Sequence, residues 1–316
     1  MIRTRVGVLR GGPSSEYDVS LKSGASVLRN LPEDCTGVDI FISKGGTWHV
    51  KGVPTTPAKA LSRVDVVWNA MHGEYGEDGH VQKMLDELRV PYNGAGVMAS
   101  MLGFQKHLFK KVAGDAGIRM PRHVLFRDGQ HVDSFLGEVH RTFAPPWIVK
   151  PAAAGSSIGV TLVKTLHDLP YVLEKTLFQG PIVLVEEYIK GREATCGVIE
   201  SFRGQELYAL LPVEIIPDSE FYDDSAKYSA ATRKVCPGNF SSTEKEEIMR
   251  LARTAHRAIG ARHYSRTDMI VSPRGVYVLE INTLPGFTEE SLLPRSLAAV
   301  GCTIPQFLSH IFTLAQ

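Results

Sequence analysis

Two carboxylates and a carboxamide stand out in "SRTDMIVSPRGVYVLEIN", residues 265–282. Asp268, Glu280 and Asn282 lie among valines, isoleucines and leucines, which favour half-buried strands. The segments "DMIV" and "VYVLEIN" flank the turn-like "SPRG", so the spacing predicts an antiparallel hairpin with Asp268 roughly opposite Glu280. The period of two then places Glu280 and Asn282 on one face. Burying two carboxylates without a cation is very unfavourable. A hard divalent ion such as Mg²⁺ prefers oxygen donors and keeps positions for phosphate oxygens, so a metal-holding hairpin is expected here rather than a solvated edge.

A second stretch, "VKPAAAGSSIGV" at residues 149–160, puts Lys150 at a strand end before a loop of small residues. Such a loop lets backbone N–H groups come close to an anion. It lacks the G-x-x-x-x-G-K-[ST] pattern of a Walker A loop. Together with the separate Lys106 it suggests a phosphate cradle.

These groups need elements to position them. "RVGVL" at residues 5–9 reads as a buried strand, followed by the loop "RGGPSSEYD" and a helix with Leu21, Ala25 and Leu28 at helical spacing. "DVVWNAM" reads as another strand; the loop "HGEYGEDG" follows, then "HVQKMLDEL" with Val81, Met84, Leu85 and Leu88 on one stripe. This alternation favours a parallel sheet with its ligand loops at the carboxyl ends of the strands. Further on, "VMASMLGFQKHLFKKVAGDAG" reads as one helix with a basic face, and strand signals recur in "PIVLVEEYI", "EATCGVIES" and "ELYALLPVEII". A polar loop from residue 217 to about 241 is long enough for a lid. The helix after it shows capping-box spacing at Thr243 and Glu246, a stripe of Ile248, Leu251, Ala252, Ala255 and Ile259, and a terminating Gly260.

Eight segments, in order and along nearly the whole chain, resemble the D-alanine–D-alanine ligase family of the ATP-grasp fold: "GGPSSEYDVSLKSG", "HGEYGEDG", "GVMAS", "IVKP" with "GSSIGV", "VEEYIKGRE", "EFYDDSAKY", "RTDMIV" and "EINTLPGFTEESLLP". The resemblance implies an α/β (α+β) architecture of three domains. Residues 1–97 would form an amino-terminal parallel-sheet substrate domain, 98–188 a central subdomain with the phosphate loop, and 189–316 a carboxy-terminal subdomain with the metal hairpin and lid. It also implies an activity: the first D-alanine takes the γ-phosphoryl group of ATP, and the amine of a second D-alanine attacks the resulting acyl phosphate.

By the same resemblance, Glu16 would hold the ammonium group of the first D-alanine in a network with Ser156 and Tyr228. Arg266 and the backbone N–H of Gly286 would stabilise the oxyanion of the tetrahedral intermediate. Ser291 and the backbone of Leu292 would receive the second carboxylate, with His72 and Glu77 near the substrate. Lys106, Lys150 and Ser157 would meet phosphate oxygens; Glu186 and the backbone of Tyr188 and Ile189 the adenine; and Glu193 the ribose. Phe221 and Lys227 would close over the nucleotide. Asp268, Glu280 and Asn282 would hold two Mg²⁺ ions, with Mn²⁺ able to substitute and a monovalent cation as a further candidate. A homodimer is implied as well.

The chain departs from the family pattern at Ala152, Ala153 and Ala154, where polar or charged residues, often an Arg-Glu pair, are usual. Gln105 stands where aspartate is common, and Tyr17 and Asp18 where longer charged residues are. Two other readings stand beside the dipeptide ligase. One joins D-alanine to D-lactate or D-serine, against which the tyrosine of "AKYSA" argues. The other is a catalytically inactive nucleotide-binding regulator, suggested by the alanine-rich loop.

Composition narrows the partners. With 316 residues and a formal net charge of +1, the chain shows no basic excess for nucleic acid or an anionic membrane, so small-molecule substrates are expected. Cys35, Cys196, Cys236 and Cys302 form no C-x-x-C pair and read as free thiols. The start "MIRTRVGVLRGG" has no signal-peptide apolar region, and no apolar run approaches the roughly 20 residues of a membrane span, so a cytosolic protein is expected.

Overall fold

The apolar run near the amino terminus becomes the centre of a sheet in the computed structural model, which describes residues 3–155, 158–217 and 232–316. Ser156, Ser157, Phe221, Lys227 and Tyr228 lie outside the described residues. The first sheet comprises β1 (Thr4–Gly11), β2 (Cys35–Ile42), β3 (Trp48–Val50), β4 (Val53–Thr55) and β5 (Val66–Asn69), in the order β4-β3-β2-β1-β5. β1 runs parallel to β2 and β5, as the strand and helix alternation predicts, while β3 and β4 add an antiparallel edge.

Helix α1 (Tyr17–Arg29) packs against this sheet through a different face from the one expected. Leu21, Ala25 and Leu28 are only partly buried, whereas Ser20, Ser23, Gly24 and Val27 face inward. The cause is a close approach: a Cβ on Gly24 would lie 2.6 Å from the Cβ of Arg10, so small residues rather than leucines fit there. After α2 (Pro57–Leu61) comes α3 (His80–Glu87), which buries Val81 and Leu85 fully. Leu88, expected on the same stripe, is exposed just past the helix end, and Gln82 is buried instead, donating to the Gly76 carbonyl.

The single helix expected from residue 97 is two, α4 (Val97–Phe104) and α5 (Lys106–Asp115). Gln105 leaves the helical region, with ψ of 91°, because its backbone bridges to Ala153 of the small-residue loop. The second sheet follows, antiparallel in the order β6-β9-β7-β8: β6 (His123–Arg127), α6 (Val132–Thr142), β7 (Trp147–Pro151), β8 (Thr161–Val163), α7 (Leu169–Leu177) and β9 (Ile182–Glu187).

The third sheet has the order β13-β12-β10-β14-β15, with β11 beside β10. Its strands are β10 (Arg192–Phe202), β11 (Gln205–Ala209), β12 (Val213–Ile216), β13 (Arg233–Val235), β14 (Tyr264–Ser272) and β15 (Gly275–Asn282). β13 falls inside the stretch expected to be only loop. Helix α8 (Ser242–Ala258) buries the predicted stripe of Ile248, Leu251, Ala252, Ala255 and Ile259, and Gly260 ends it at a φ of +65°. Its capping box is Ser241 with Glu244, one of two overlapping candidates in "SSTEKEE", rather than Thr243 with Glu246. The chain closes with α9 (Leu292–Ala299) and α10 (Ile304–Ala315).

Each sheet lies within one of the segments 1–97, 98–188 and 189–316, but apolar clusters cross between them. Ala99, Phe109 and Ala113 of α4 and α5 share a core with α8 and the third sheet. Phe307, Phe312 and Leu297 of the last two helices pack with Val6, Val8 and Trp68 of the first sheet, where Trp68 stacks on Tyr264 at 5.9 Å. Among the described residues no single helix is long and apolar enough to cross a membrane. α9 and α10 together are apolar enough, but they bend by 103° and bury that apolar face in the shared core.

His263 joins the first and third units: its Nδ1 accepts the Gly94 N–H at 3.0 Å. Burial, with the charge of Arg262 added and that of Glu200 opposing, pulls its pKa down to about 4. An unfolded histidine titrates near 6.5. The folded state is therefore favoured fully above pH 6.5, and that contribution fades as pH falls from about 6.5 toward 4. Urea unfolding at steps across this range should show about one more proton taken up on unfolding by the wild type than by His263→Gln. Parallel pH profiles for the two proteins would contradict it.

Candidate active site

A cleft of about 1270 Å³ opens where the three sheets meet, larger than the ~300–1000 Å³ usual for one small ligand. Every described residue expected in the site lines it. Glu16, His72 and Glu77 come from loops after β1 and β5; Lys106, Lys150, Glu186, Tyr188 and Ile189 from α5 and the second sheet. Glu193, Arg266, Asp268, Glu280 and Asn282 come from the third sheet, and Gly286, Ser291 and Leu292 from the segment leading into α9.

The hairpin has the predicted register. Asp268 pairs with Glu280 and Arg266 with Asn282 across β14 and β15, and the register shifts just after Asp268. Arg266 grips Asp268 with two bonds, Nε to Oδ1 at 3.0 Å and Nη2 to Oδ2 at 2.8 Å. Thr195 Oγ1 donates to Oδ1 at 2.6 Å. Burial pulls the Arg266 pKa down, yet the adjoining Asp268 carboxylate outweighs it and the net shift is upward. Across the hairpin, Lys106 Nζ lies 3.2 Å from Glu280 Oε2.

The donor chemistry suits a hard divalent cation. Among the described residues no group of three or more His, Cys, Asp or Glu side chains is placed to hold a metal; the hairpin offers two carboxylates, Asp268 and Glu280, and the Asn282 amide. Asp268 has roughly four acceptor positions and uses three, and the Asn282 carbonyl accepts one bond, from the Leu284 N–H at 2.9 Å. Oxygen capacity thus remains on a face that opens to the cleft.

On the opposite wall Glu186 sits between two lysines, 2.9 Å from Lys110 Nζ and 3.0 Å from Lys150 Nζ. Burial pushes the Glu186 carboxyl up, but the two ammonium groups reverse this and hold it below the ordinary range. Burial pulls the Lys110 ammonium down, with Glu186 opposing. Lys110 was not among the expected site residues; the reading of a basic helix face pointed it outward. The structure turns Lys106 and Lys110 inward and leaves Lys111 exposed. The clue in the sequence is that Lys110 adjoins Phe109 and precedes Ala113 on the apolar stripe.

Lys106 also ties the small-residue loop to the cleft. Its backbone N–H donates to the Ala152 carbonyl at 2.8 Å, and its Nζ donates to the Ala154 carbonyl. Where the usual charged pair is missing, the alanine loop is held by the backbone of α5. The Tyr188 N–H donates to the Pro146 carbonyl at 3.2 Å.

At the far end, the Glu16 carboxylate is packed so that a Cβ on Gly155 would lie 3.0 Å from its Oε1. The Glu16 N–H donates to Ser14 Oγ, which donates to the His72 carbonyl. His72 bridges Glu77, at 3.1 Å from Nδ1, and Ser23, at 2.8 Å from Nε2. Burial lowers the His72 pKa, but the Glu77 bond and the charges of Glu77 and Glu16 prevail and raise it overall. Ser23 also accepts the Phe287 N–H, which fixes the loop carrying Gly286. Ser291 occupies the N-cap position of α9 without capping it; its hydroxyl accepts the Thr288 N–H instead. Lys234, a cleft residue without a local sequence signal, lies on β13 with its pKa lowered by burial.

Comparison with known proteins follows the same outline. Residues 112–313 match the family model described as D-ala D-ala ligase C-terminus, and residues 50–95 the model described as D-ala D-ala ligase N-terminus. The chain is 38% identical to the D-alanine--D-alanine ligase of Geobacter sulfurreducens, over 99% of this chain and 94% of that one. It is 33% identical to the ligase of the same description from Halothermothrix orenii, over 100% and 99%. Among solved structures, the VanG D-Ala:D-Ser ligase from Enterococcus faecalis superposes with a TM-score of 0.88 at 28% identity, covering 99% of this chain and 100% of that one. The D-alanine-D-alanine ligase from Coxiella burnetii gives 0.86 at 25% identity, over 100% and 94%.

The Arg266 and Asp268 pair supplies a test of the site's electrostatics. Asp268→Ala leaves a mostly buried guanidinium without its nearest carboxylate and should destabilise the protein by about 2–3 kcal/mol in urea denaturation. Adding Arg266→Met should recover part of that loss; additive losses would show that the pair is not coupled.

Proposed function

The chain belongs to the D-alanine–D-alanine ligase family, and from that premise we propose that it joins two D-alanines, using ATP, to make D-alanyl-D-alanine for peptidoglycan precursor synthesis. The observation that carries this reading is one cleft. It sets two phosphate-type lysines and an oxygen-donor hairpin at one end, and a carboxylate and histidine pocket at the other.

A carboxylate is a poor acyl donor because its oxygen leaves badly. Transfer of the γ-phosphoryl group makes that oxygen part of a good leaving group, and the second amine can then displace phosphate. Asp268, Glu280 and Asn282 would hold Mg²⁺, two ions in the family's pattern with Mn²⁺ able to substitute, and the bound metal neutralises and orients phosphate oxygens. Lys106 and Lys150 place positive charge beside the same oxygens. Glu16, held between two glycine-containing loops, is suited to the ammonium group of the first D-alanine, and His72 and Glu77 keep that pocket polar. Arg266 is locked in one orientation by Asp268, so its remaining N–H groups are preorganised for the oxyanion, with the Gly286 N–H as partner. Ser291 and the backbone of Leu292 complete the reading at the second carboxylate.

Glu186, Tyr188 and Ile189 are assigned to adenine and Glu193 to ribose. Ser156, Ser157, Phe221, Lys227 and Tyr228 keep the roles that the resemblance implies. Segments 1–97, 98–188 and 189–316 are proposed as the units supplying amino-acid, phosphate and metal sites. A homodimer, a monovalent-cation requirement and a cytoplasmic location belong to the same reading.

Phosphate release from ATP should depend on D-alanine, and mass spectrometry should find the dipeptide as the main product when D-lactate or D-serine is also offered. Folded protein that binds ATP but releases no phosphate with D-alanine would overturn the ligase reading in favour of a regulator. A dominant depsipeptide or D-serine product would overturn the choice of second substrate.

A further inference from the structure

Lys110 is a buried lysine with no role in the chemistry described so far. Its side chain is fully enclosed and does not line the cleft, so it cannot touch a nucleotide. It faces Glu186 Oε1 at 2.9 Å, a buried ammonium paired with a buried carboxylate oxygen. Glu186 Oε2 in turn holds Lys150 Nζ at 3.0 Å, and both Glu186 and Lys150 do line the cleft.

We infer that Lys110 is a positioning residue that sets the charge of the phosphate end of the cleft, acting through Glu186 on Lys150. This rests on the reading of the cleft as an ATP site. Two ammonium groups share one carboxylate, which leaves one excess positive charge on this wall. Without Lys110, Glu186 and Lys150 close into a neutral pair, and the Lys150 ammonium is drawn away from an incoming phosphate. Keeping the third charge behind the wall holds the excess in place: it is shielded from screening ions, and its distance from the ligand is fixed by α5. A lysine in the cleft itself would neutralise Glu186 equally well but would compete for the space of the nucleotide.

The charge account makes an unusual demand on a pair of variants. Lys110→Met should weaken ATP binding, and raise the KM for ATP, at least about tenfold while leaving the KM for D-alanine within about twofold. In the Glu186→Gln background, where the Glu186 contact to adenine is already gone, adding Lys110→Met should cost no more than about threefold in ATP affinity, because Lys150 then has no carboxylate to close onto. The double variant also has no uncompensated buried carboxylate, so it keeps the test decisive if Lys110→Met fails to fold. ATP affinity is read by calorimetry with magnesium and no amino acid, which decides the matter whether or not D-alanine proves to be the substrate. Folded Lys110→Met that binds ATP as the wild type does would overturn the inference. So would a double variant that binds ATP at least about tenfold more weakly than Glu186→Gln, since an effect of Lys110 that persists without Glu186 is not carried through it.

Discussion

The site depends on setting carboxylates against fixed cations in partly dry surroundings. Two strands of one hairpin bring Asp268 and Glu280 face to face, and their like charges would repel each other if left alone. Fixed cations prevent this: Arg266 binds Asp268 through two bonds, and Lys106 stands 3.2 Å from Glu280. The same principle operates on the facing wall, where Glu186 is held between Lys110 and Lys150. Charges of both signs are thus set in place before any ligand arrives, which is what makes a site able to receive a metal and a polyphosphate together without large rearrangement.

That constraint explains why the units interlock rather than stand apart. Lys106 begins α5, whose apolar side packs with α8 and the third sheet, yet its backbone is bonded to the loop after β7 in the second sheet. One residue therefore connects the loop, the hairpin and the helix. At the other end, Ser23 on α1 touches both His72 and the Phe287 N–H, joining the first sheet to the segment beyond β15. Trp68, Tyr264 and Phe307 form the apolar counterpart of that polar link.

Much of this was legible in the sequence where the signal is local. The hairpin register follows from a period of two on either side of a short turn, and the α8 stripe from a period of 3.6. The parts that escaped are those fixed by distant partners. Gln105 has nothing in its neighbours to break a helix; the bridge to Ala153 breaks it. Leucines on α1 look like the buried face until Gly24 meets Arg10. The choice between Ser241 and Thr243 as cap is a choice between two equally good local patterns; the backbone is extended at Ser241, with ψ of 163°, and the helix starts there.

The central claim is that the hairpin oxygens form a metal site completed by nucleotide. Electron paramagnetic resonance of Mn²⁺, as a probe for Mg²⁺, addresses it directly in the wild type and in Glu280→Gln. Bound Mn²⁺ should rise sharply when ADP is added to the wild type and should fall at least about tenfold in the variant. Equal Mn²⁺ binding by the two proteins in the presence of ADP would contradict the account.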